Sequence, residues 1–532
     1  MEEEPQLSGT NPHSTVWLPR LLAIASVSLA AIVQGPAVGR YFAADDFLHL
    51  YQIAVQGFAS FLFQPHGGHV LIPSNLAFYL CHALFGLDAW GYYGLAVLTH
   101  LANVALLFAV ILGFTRRPFF AALGASAFGM SPAAVGSVGL FSAYGHVLAT
   151  HFFLWVLRDV ANRWRSRDPV PPRLTARWIA LLLAGGTSFG VGLPVSMIFG
   201  AVLWVLLPRA PNRTRVALSV GSLSLVMPLL FAAVHVSRGE DGVGFVADRL
   251  GDGLDLVTGT ASMTFQLFAN GLAGLVLGPW LAHDASGFTF GPMRGRALAE
   301  GLPVAVVVLL LFCAALAVAW WRASPERRGQ ILGMGAIAAA GYAVIAVGRA
   351  DFYASQDVSL ALAVSPLRYH YCGPMAISVV LCLMLGRESG GDEAEGSAGR
   401  EGSVLYGAWL LASVAFYVMA SPAAPGPEDG AARAEHRRAL DRIDRAVRAR
   451  PLGATVFLRN ARFNAGPPFG GFPGHAGIFV ISFPDNRARG RQVRFIERDP
   501  LVRRAALAHA NARVRELIVA RRPQKFPPAN RD

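Results

Sequence analysis

Three short stretches of the 532-residue chain hold the residue types that proton transfer and anion binding require. The first is Tyr41-Phe42-Ala43-Ala44-Asp45-Asp46-Phe47-Leu48-His49-Leu50, with two adjacent carboxylates just past an apolar run. Like charges side by side repel and resist desolvation, so a pair set beside a bilayer needs a reason. One reason is catalytic, a carboxylate that accepts a proton or orients an acceptor hydroxyl. The other is local, a cap with an exposed neighbour at the start of an amphipathic helix over 47–63. The second stretch is Phe63-Gln64-Pro65-His66-Gly67-Gly68-His69-Val70, where a Gly-Gly pair marks a tight loop between helices. His66 and His69, three apart, suit a phosphate or a metal, or sit at the interface with no ligand. The third is Ser365-Pro366-Leu367-Arg368-Tyr369-His370-Tyr371. A guanidinium there either clamps a phosphate in its planar fork or snorkels to lipid head groups, and Tyr369 and Tyr371 also fit an aromatic belt. His82 and His100 lie in apolar helical surroundings and read as satisfied buried histidines.

The elements that position these residues are membrane helices. Hydrophobic residues make up 54% of the chain and charged residues 15%, well below the quarter or so of a soluble domain. Apolar segments are expected to span at 16–38, 92–114, 118–135, 138–157, 178–191, 193–207, 216–236, 302–321, 330–348, 369–386 and 403–420. The segments at 178–207 form a tight hairpin broken by Gly190-Val191-Gly192-Leu193-Pro194. Apolar material at 70–86 and 254–282 is ambiguous, and the second is expected to be an interfacial or re-entrant element. The first apolar run reads as a retained anchor without a small-residue cleavage site. The four cysteines, Cys81, Cys313, Cys372 and Cys382, form no CxxC pair and behave as small hydrophobes.

Charge sets the orientation. With the N-terminus inside, the inner connections carry 17 Arg and the outer ones 7 before residue 422. The odd span count then places a basic C-terminal segment, 422–532, outside. It holds 22 of the 46 basic residues against 10 acids. That excess beside a membrane is matched by anionic lipid rather than nucleic acid. The segment reads as a small α/β domain, with helices over 431–450 and 501–520 and strands at 454–459, 477–483 and 492–497. The fold class is thus an all-α polytopic membrane protein over 1–421, with an amphipathic first outer loop, followed by that extramembrane domain.

In this order the features resemble the GT-C superfamily of integral-membrane glycosyltransferases, which includes the protein O-mannosyltransferases and aminoarabinose transferases. The resemblance rests on Asp45-Asp46 after the first span, on Leu84-Phe-Gly-Leu-Asp-Ala-Trp-Gly-Tyr-Tyr93 followed by Leu98-Thr-His-Leu-Ala-Asn103, and on Arg368-Tyr369 before a late span. It covers about residues 16–421. The family's usual Arg-Pro or His-Pro-Pro stretch in the first loop is replaced by His66-Gly-Gly-His69. The resemblance implies a GT-C-like bundle in the cytoplasmic membrane and a polyprenyl-phosphate sugar donor. The acceptor would be a glycan, lipid or protein at the outer face. Asp45 would then be the base and Asp46 its support or a divalent-metal ligand, no cofactor being certain. Arg368, with Tyr369, would stabilise the leaving phosphate, and His66 and His69 would orient acceptor or phosphate. A lipid transporter or flippase would line its spans with charge, which these spans lack. A catalytically silent scaffold is the remaining alternative.

Overall fold

The computed structural model describes residues 14–42, 45–66, 68–236, 253–276, 298–354, 367–386 and 402–413. Toward the C-terminus it also describes 445, 448–449, 455–459, 492–496 and 517–519. The first helix, α1 (Ser14–Gln34), passes through a 3-10 turn at Gly35–Gly39 into the first long connection. That loop holds α2 (Asp45–Val55), α3 (Phe58–Leu62) and α4 (Ile72–Phe85). The expected helix over 47–63 is therefore two helices, broken at Gln56-Gly57, and it starts at Asp45. In α4, Leu76, Leu80 and Leu84 expose one stripe four residues apart, while Ser74, Asn75, Phe78 and Cys81 are buried. That division fits a helix lying in the interface plane.

The bundle continues with α5 (Ala89–Thr115), α6 (Pro118–Gly129), α7 (Pro132–Val138), α8 (Tyr144–Arg163), α9 (Pro172–Gly186) and α10 (Gly192–Leu206). It is completed by α11 (Arg213–Gly221), α12 (Leu223–Val236), α13 (Gly253–Val276), α14 (Leu298–Arg322), α15 (Pro325–Ala354), α16 (Cys372–Leu385) and α17 (Gly402–Ser413). Four of the described helical stretches are long and apolar enough to cross a membrane: Trp17–Gly39, Ala89–Thr115, Arg213–Val234 and Pro325–Arg349. At 27 residues α5 rises about 40 Å, more than a hydrocarbon core of about 30 Å. Several other apolar segments are shorter helices, such as Pro118–Gly129 and Cys372–Leu385. The run 118–135 divides at Met130-Ser131-Pro132, because a proline there ends one helix and begins the next.

Within 254–282, residues Gly253–Val276 form a continuous 24-residue helix packed against α14, α15 and α16. Met263, Leu267, Ala269, Leu272 and Leu275 are buried in it. Thr258, Thr260, Ser262, Thr264, Gln266 and Asn270 dilute the hydropathy of this segment, which hid a bundle helix from the composition. At Gly271 any Cβ would collide with the Tyr342 hydroxyl, so the glycine permits the close approach of α13 to α15.

Contacts between loops sort the bundle into two ends. At one end Arg209 Nη2 donates to Glu326 Oε1 at 3.1 Å and Arg327 Nη2 to the Gly386 carbonyl at 2.8 Å. Trp164 Nε1 donates to the Gly113 carbonyl at 3.1 Å, and Val170 and Asn212 exchange two hydrogen bonds of 2.9 Å. These join the arginine-bearing connections. At the other end the Ser142 amide donates to Asp46, Ser74 Oγ to the Ser188 carbonyl at 2.7 Å, and Ser137 Oγ to the Arg368 carbonyl at 3.4 Å.

Between the two ends runs a one-directional chain of polar groups. Trp155 Nε1 only donates, so His151 Nε2 accepts (3.0 Å) and His151 Nδ1–H donates to Asn103 Oδ1 (2.9 Å). Asn103 Nδ2 donates to the Tyr371 hydroxyl (3.2 Å), which donates to His100 Nδ1 (2.7 Å). His100 Nε2–H ends the chain on the Gly129 carbonyl (3.1 Å). The chain ties α8, α5, α16 and α6 together.

In the C-terminal portion, three strands form a parallel sheet in the order β2-β1-β3. They are β1 (Thr455–Arg459), β2 (Gln492–Ile496) and β3 (Leu517–Val519). Leu517–Val519 pairs with β1 where a helix over 501–520 is expected; a short apolar run cannot be assigned by periodicity alone. The expected strand at 477–483 lies outside the described residues.

Tyr371→Phe removes the hydroxyl that ties the start of α16 to His100 and Asn103 on α5 and leaves the Asn103 amide and His100 Nδ1 short of a partner. A loss of about 1–3 kcal/mol follows, read as a lower melting temperature of the detergent-solubilised protein.

Candidate functional site

The Asp45 end gathers nearly every residue singled out for chemistry. Both aspartates lie in the first turn of α2, yet they face different surroundings. Asp46 is fully buried. Its Oδ1 accepts the Ser142 amide at 2.6 Å and its Oδ2 the Tyr93 hydroxyl at 2.9 Å, which the Tyr41 carbonyl shares at 2.9 Å. With both oxygens engaged by the protein, Asp46 fastens α2 to α5 and to the turn before α8. Asp45 is the carboxylate left facing outward, its side chain 43% exposed and 3.6 Å from His66 Nε2. His66 holds the Asp45 carboxyl below the usual carboxylate range; burial opposes this, and His49 and Arg368 add to the lowering. Asp45 is therefore ionised at neutral pH.

His49, one helical turn on, donates from Nδ1 to the Asp45 carbonyl at 2.9 Å. Its ring stacks on Phe78 at 4.9 Å and lies 4.7 Å from the His66 ring. Burial, with the neighbouring His66, pushes its pKa down to about 4, so it is uncharged at pH 7 and acts as a hydrogen-bonded spacer.

The His66–His69 loop closes by two hydrogen bonds of 3.0 Å, from the His66 amide to the His69 carbonyl and the reverse. Gly68 takes φ +77 there, a conformation that side chains resist. The tight turn divides the pair. His66 reaches Asp45, and His69 packs against Phe189 with ring centroids 4.9 Å apart. A Cβ at Gly190 would strike the His69 ring, so glycine at 190 makes room for it.

Arg368 sits in a 3-10 turn, Leu367–Tyr369, packed against α7. Its guanidinium lies over the Tyr369 ring at 5.3 Å, and Tyr369 is itself buried. The charge of Arg368 is felt at Asp45. Of the six residues predicted from sequence, five thus lie at the Asp45 end of the bundle, and Asp46 holds α2 to that end. His100 is buried with both ring nitrogens bonded, and His82 lies half-buried in the last turn of α4. Two residues of this end were missed: His49, whose one weak clue was its i+4 spacing from Asp45, and His146 on the first turn of α8, whose ring packs on Phe189 and which had no clue. Among the described residues, no group of three or more His, Cys, Asp or Glu stands where it could hold a metal ion.

No protein-family model matches the chain, and no curated protein matches it. Among solved structures it is similar to the crystal structure of ArnT from Cupriavidus metallidurans bound to undecaprenyl phosphate. The identity is 13% and the TM-score 0.43, covering 95% of this chain and 90% of that one.

Two outcomes test the division of labour between the aspartates. Asp46→Asn turns an acceptor into a donor against Tyr93 or Ser142 and costs about 1–3 kcal/mol, whereas Asp45→Asn leaves the melting temperature at pH 7 nearly unchanged. His49 sets a pH window. Its folded pKa, about 4, lies below its ordinary 6.5, so folding excludes a proton that the unfolded chain binds. Its contribution is complete above 6.5 and lost progressively down to about pH 4, by roughly 3 kcal/mol in all. Thermal melts across that range should fall in the parent protein and flatten in His49→Phe, which keeps the stack on Phe78.

Proposed function

We propose that the chain is an integral-membrane glycosyltransferase. It transfers a sugar from a polyprenyl-phosphate donor to an acceptor at the outer face of the cytoplasmic membrane. The observation that carries the reading is Asp45, an ionised and half-exposed carboxylate steadied by His66 and His49 within the field of Arg368. A base, a cation for a phosphate and an apolar bundle for a lipid chain meet there.

The acceptor hydroxyl gives its proton to Asp45 as its oxygen attacks the anomeric carbon. A bond from that carbon to the acceptor forms while the bond to the phosphate oxygen breaks. Polyprenyl phosphate departs with the electron pair. Arg368, stacked on Tyr369, offsets the charge that builds on the leaving oxygen. His66 orients Asp45 and His69 faces the phosphate, while Asp46 positions the loop. In this reading the Arg-rich end faces the cytoplasm, following the charge rule for short loops. In the same reading the segment 422–532 lies outside. The sugar acceptor is a glycan, lipid or protein.

Proteoliposomes supplied with polyprenyl-phosphate sugars test the proposal. Asp45→Asn should lose about two to four orders of magnitude in transfer rate. Arg368→Ala should lose about a hundredfold, and Arg368→Lys should recover only part, since a lysine lacks the bidentate fork. Full transfer by a correctly folded Asp45→Asn protein would end the catalytic assignment.

A further inference from the structure

His146 lies at the Asp45 end of α8, only 2% exposed. Its Nε2 is sealed from water and has no hydrogen-bond partner. A buried donor or acceptor left unmade destabilises a fold, so native structures nearly always satisfy such atoms. The contrast within α8 is direct: His151, five residues on, has both ring nitrogens bonded. The orphaned nitrogen lies among candidate ligand-binding groups. The His146 ring contacts Phe189 at 4.0 Å between centroids, and the same Phe189 ring contacts His69 at 4.9 Å. The turn that carries Arg368 packs on α7, where Ser137 Oγ donates to the Arg368 carbonyl at 3.4 Å, and α7 in turn packs against α8. This proximity is built in. At Gly145 a Cβ would run into the Ser188 carbonyl, and only a glycine lets the start of α8 approach the 187–191 turn.

We propose that His146 is a phosphate-binding residue: its Nε2–H donates to an oxygen of the phosphoryl group that Arg368 and His69 also face. This rests on the reading of the site as one for a phosphoryl head group, and it adds a third ligand from a different helix. Arg368 comes from the turn before α16, His69 from the first outer loop, and His146 from α8. Three donors from separate elements would fix the phosphate in three dimensions and give the buried His146 Nε2 a partner. The chemistry suits a polyprenyl head group or free phosphate alike.

Binding of farnesyl phosphate to the purified full chain in detergent tests it, with farnesol as the phosphate-free control and inorganic phosphate as competitor. His146→Phe keeps a ring against Phe189 but has no donor; His146→Gln restores one. The expected result is at least tenfold weaker farnesyl phosphate binding by His146→Phe with farnesol binding unchanged, and recovery of most of the loss in His146→Gln. Inorganic phosphate that binds as tightly as farnesyl phosphate, and weakens likewise in His146→Phe, supports the phosphate contact and assigns it to free phosphate. Unchanged farnesyl phosphate binding in His146→Phe overturns the role of His146 alone. Equal loss of farnesol and farnesyl phosphate overturns it in favour of a packing role. If the parent chain prefers neither farnesyl phosphate over farnesol nor inorganic phosphate, the phosphoryl reading of the whole site falls with it.

Discussion

A buried carboxylate with both oxygens committed is the constraint on which the Asp45 end of the bundle depends. Asp46 accepts from the Ser142 amide, which precedes α8, and from Tyr93 on α5. Removing a charge from water is costly, and charge-assisted hydrogen bonds of this length offset that cost. The consequence is positional. Once Asp46 is fastened, the first turn of α2 has one orientation, and its neighbour Asp45 must emerge on the open side. The carboxylate doublet is thus not a redundant pair, because one member anchors and the other is presented.

Around that anchor the histidines divide by how completely the fold satisfies them. His100 and His151 are closed into the chain from Trp155 to the Gly129 carbonyl, and they fix helix register in the core. His49 is spent on the Asp45 carbonyl and on a stack with Phe78. His66 reaches Asp45, whereas His69 and His146 both pack against Phe189 and the buried His146 Nε2 has no hydrogen-bond partner. Buried imidazoles of one chemical type therefore do different work according to which nitrogen the protein has already used.

Charge is partitioned along the bundle axis in the same spirit. The arginine-bearing connections meet one another at the far end, through contacts such as Arg209 with Glu326 and Arg327 with the Gly386 carbonyl. The aspartate, the histidines and Arg368 share the other. Arg368 is set into the acidic and histidine-rich end, held by a 3-10 turn on α7 and by the Tyr369 ring. The turn and the ring contact give the Arg368 guanidinium a defined direction, which a surface arginine lacks.

The membrane character, the segregation of arginine between alternate loops, and the loop bearing Asp45 and Asp46 were all readable from the chain. Each is a local property of composition or spacing, and a bilayer imposes it on any segment that crosses. The bundle helix at Gly253–Val276 was not readable, since its threonines, serines and glutamine lower the hydropathy that tertiary packing makes unnecessary. Nor could the sequence separate the two aspartates. Asp46 meets Ser142 across 96 residues, and His100 meets Tyr371 across 271. Which carboxylate is buried, and which histidine nitrogen is left without a partner, depends on groups brought together only when the helices pack, because hydrogen bonds act over about 3 Å and carry no trace in sequence spacing.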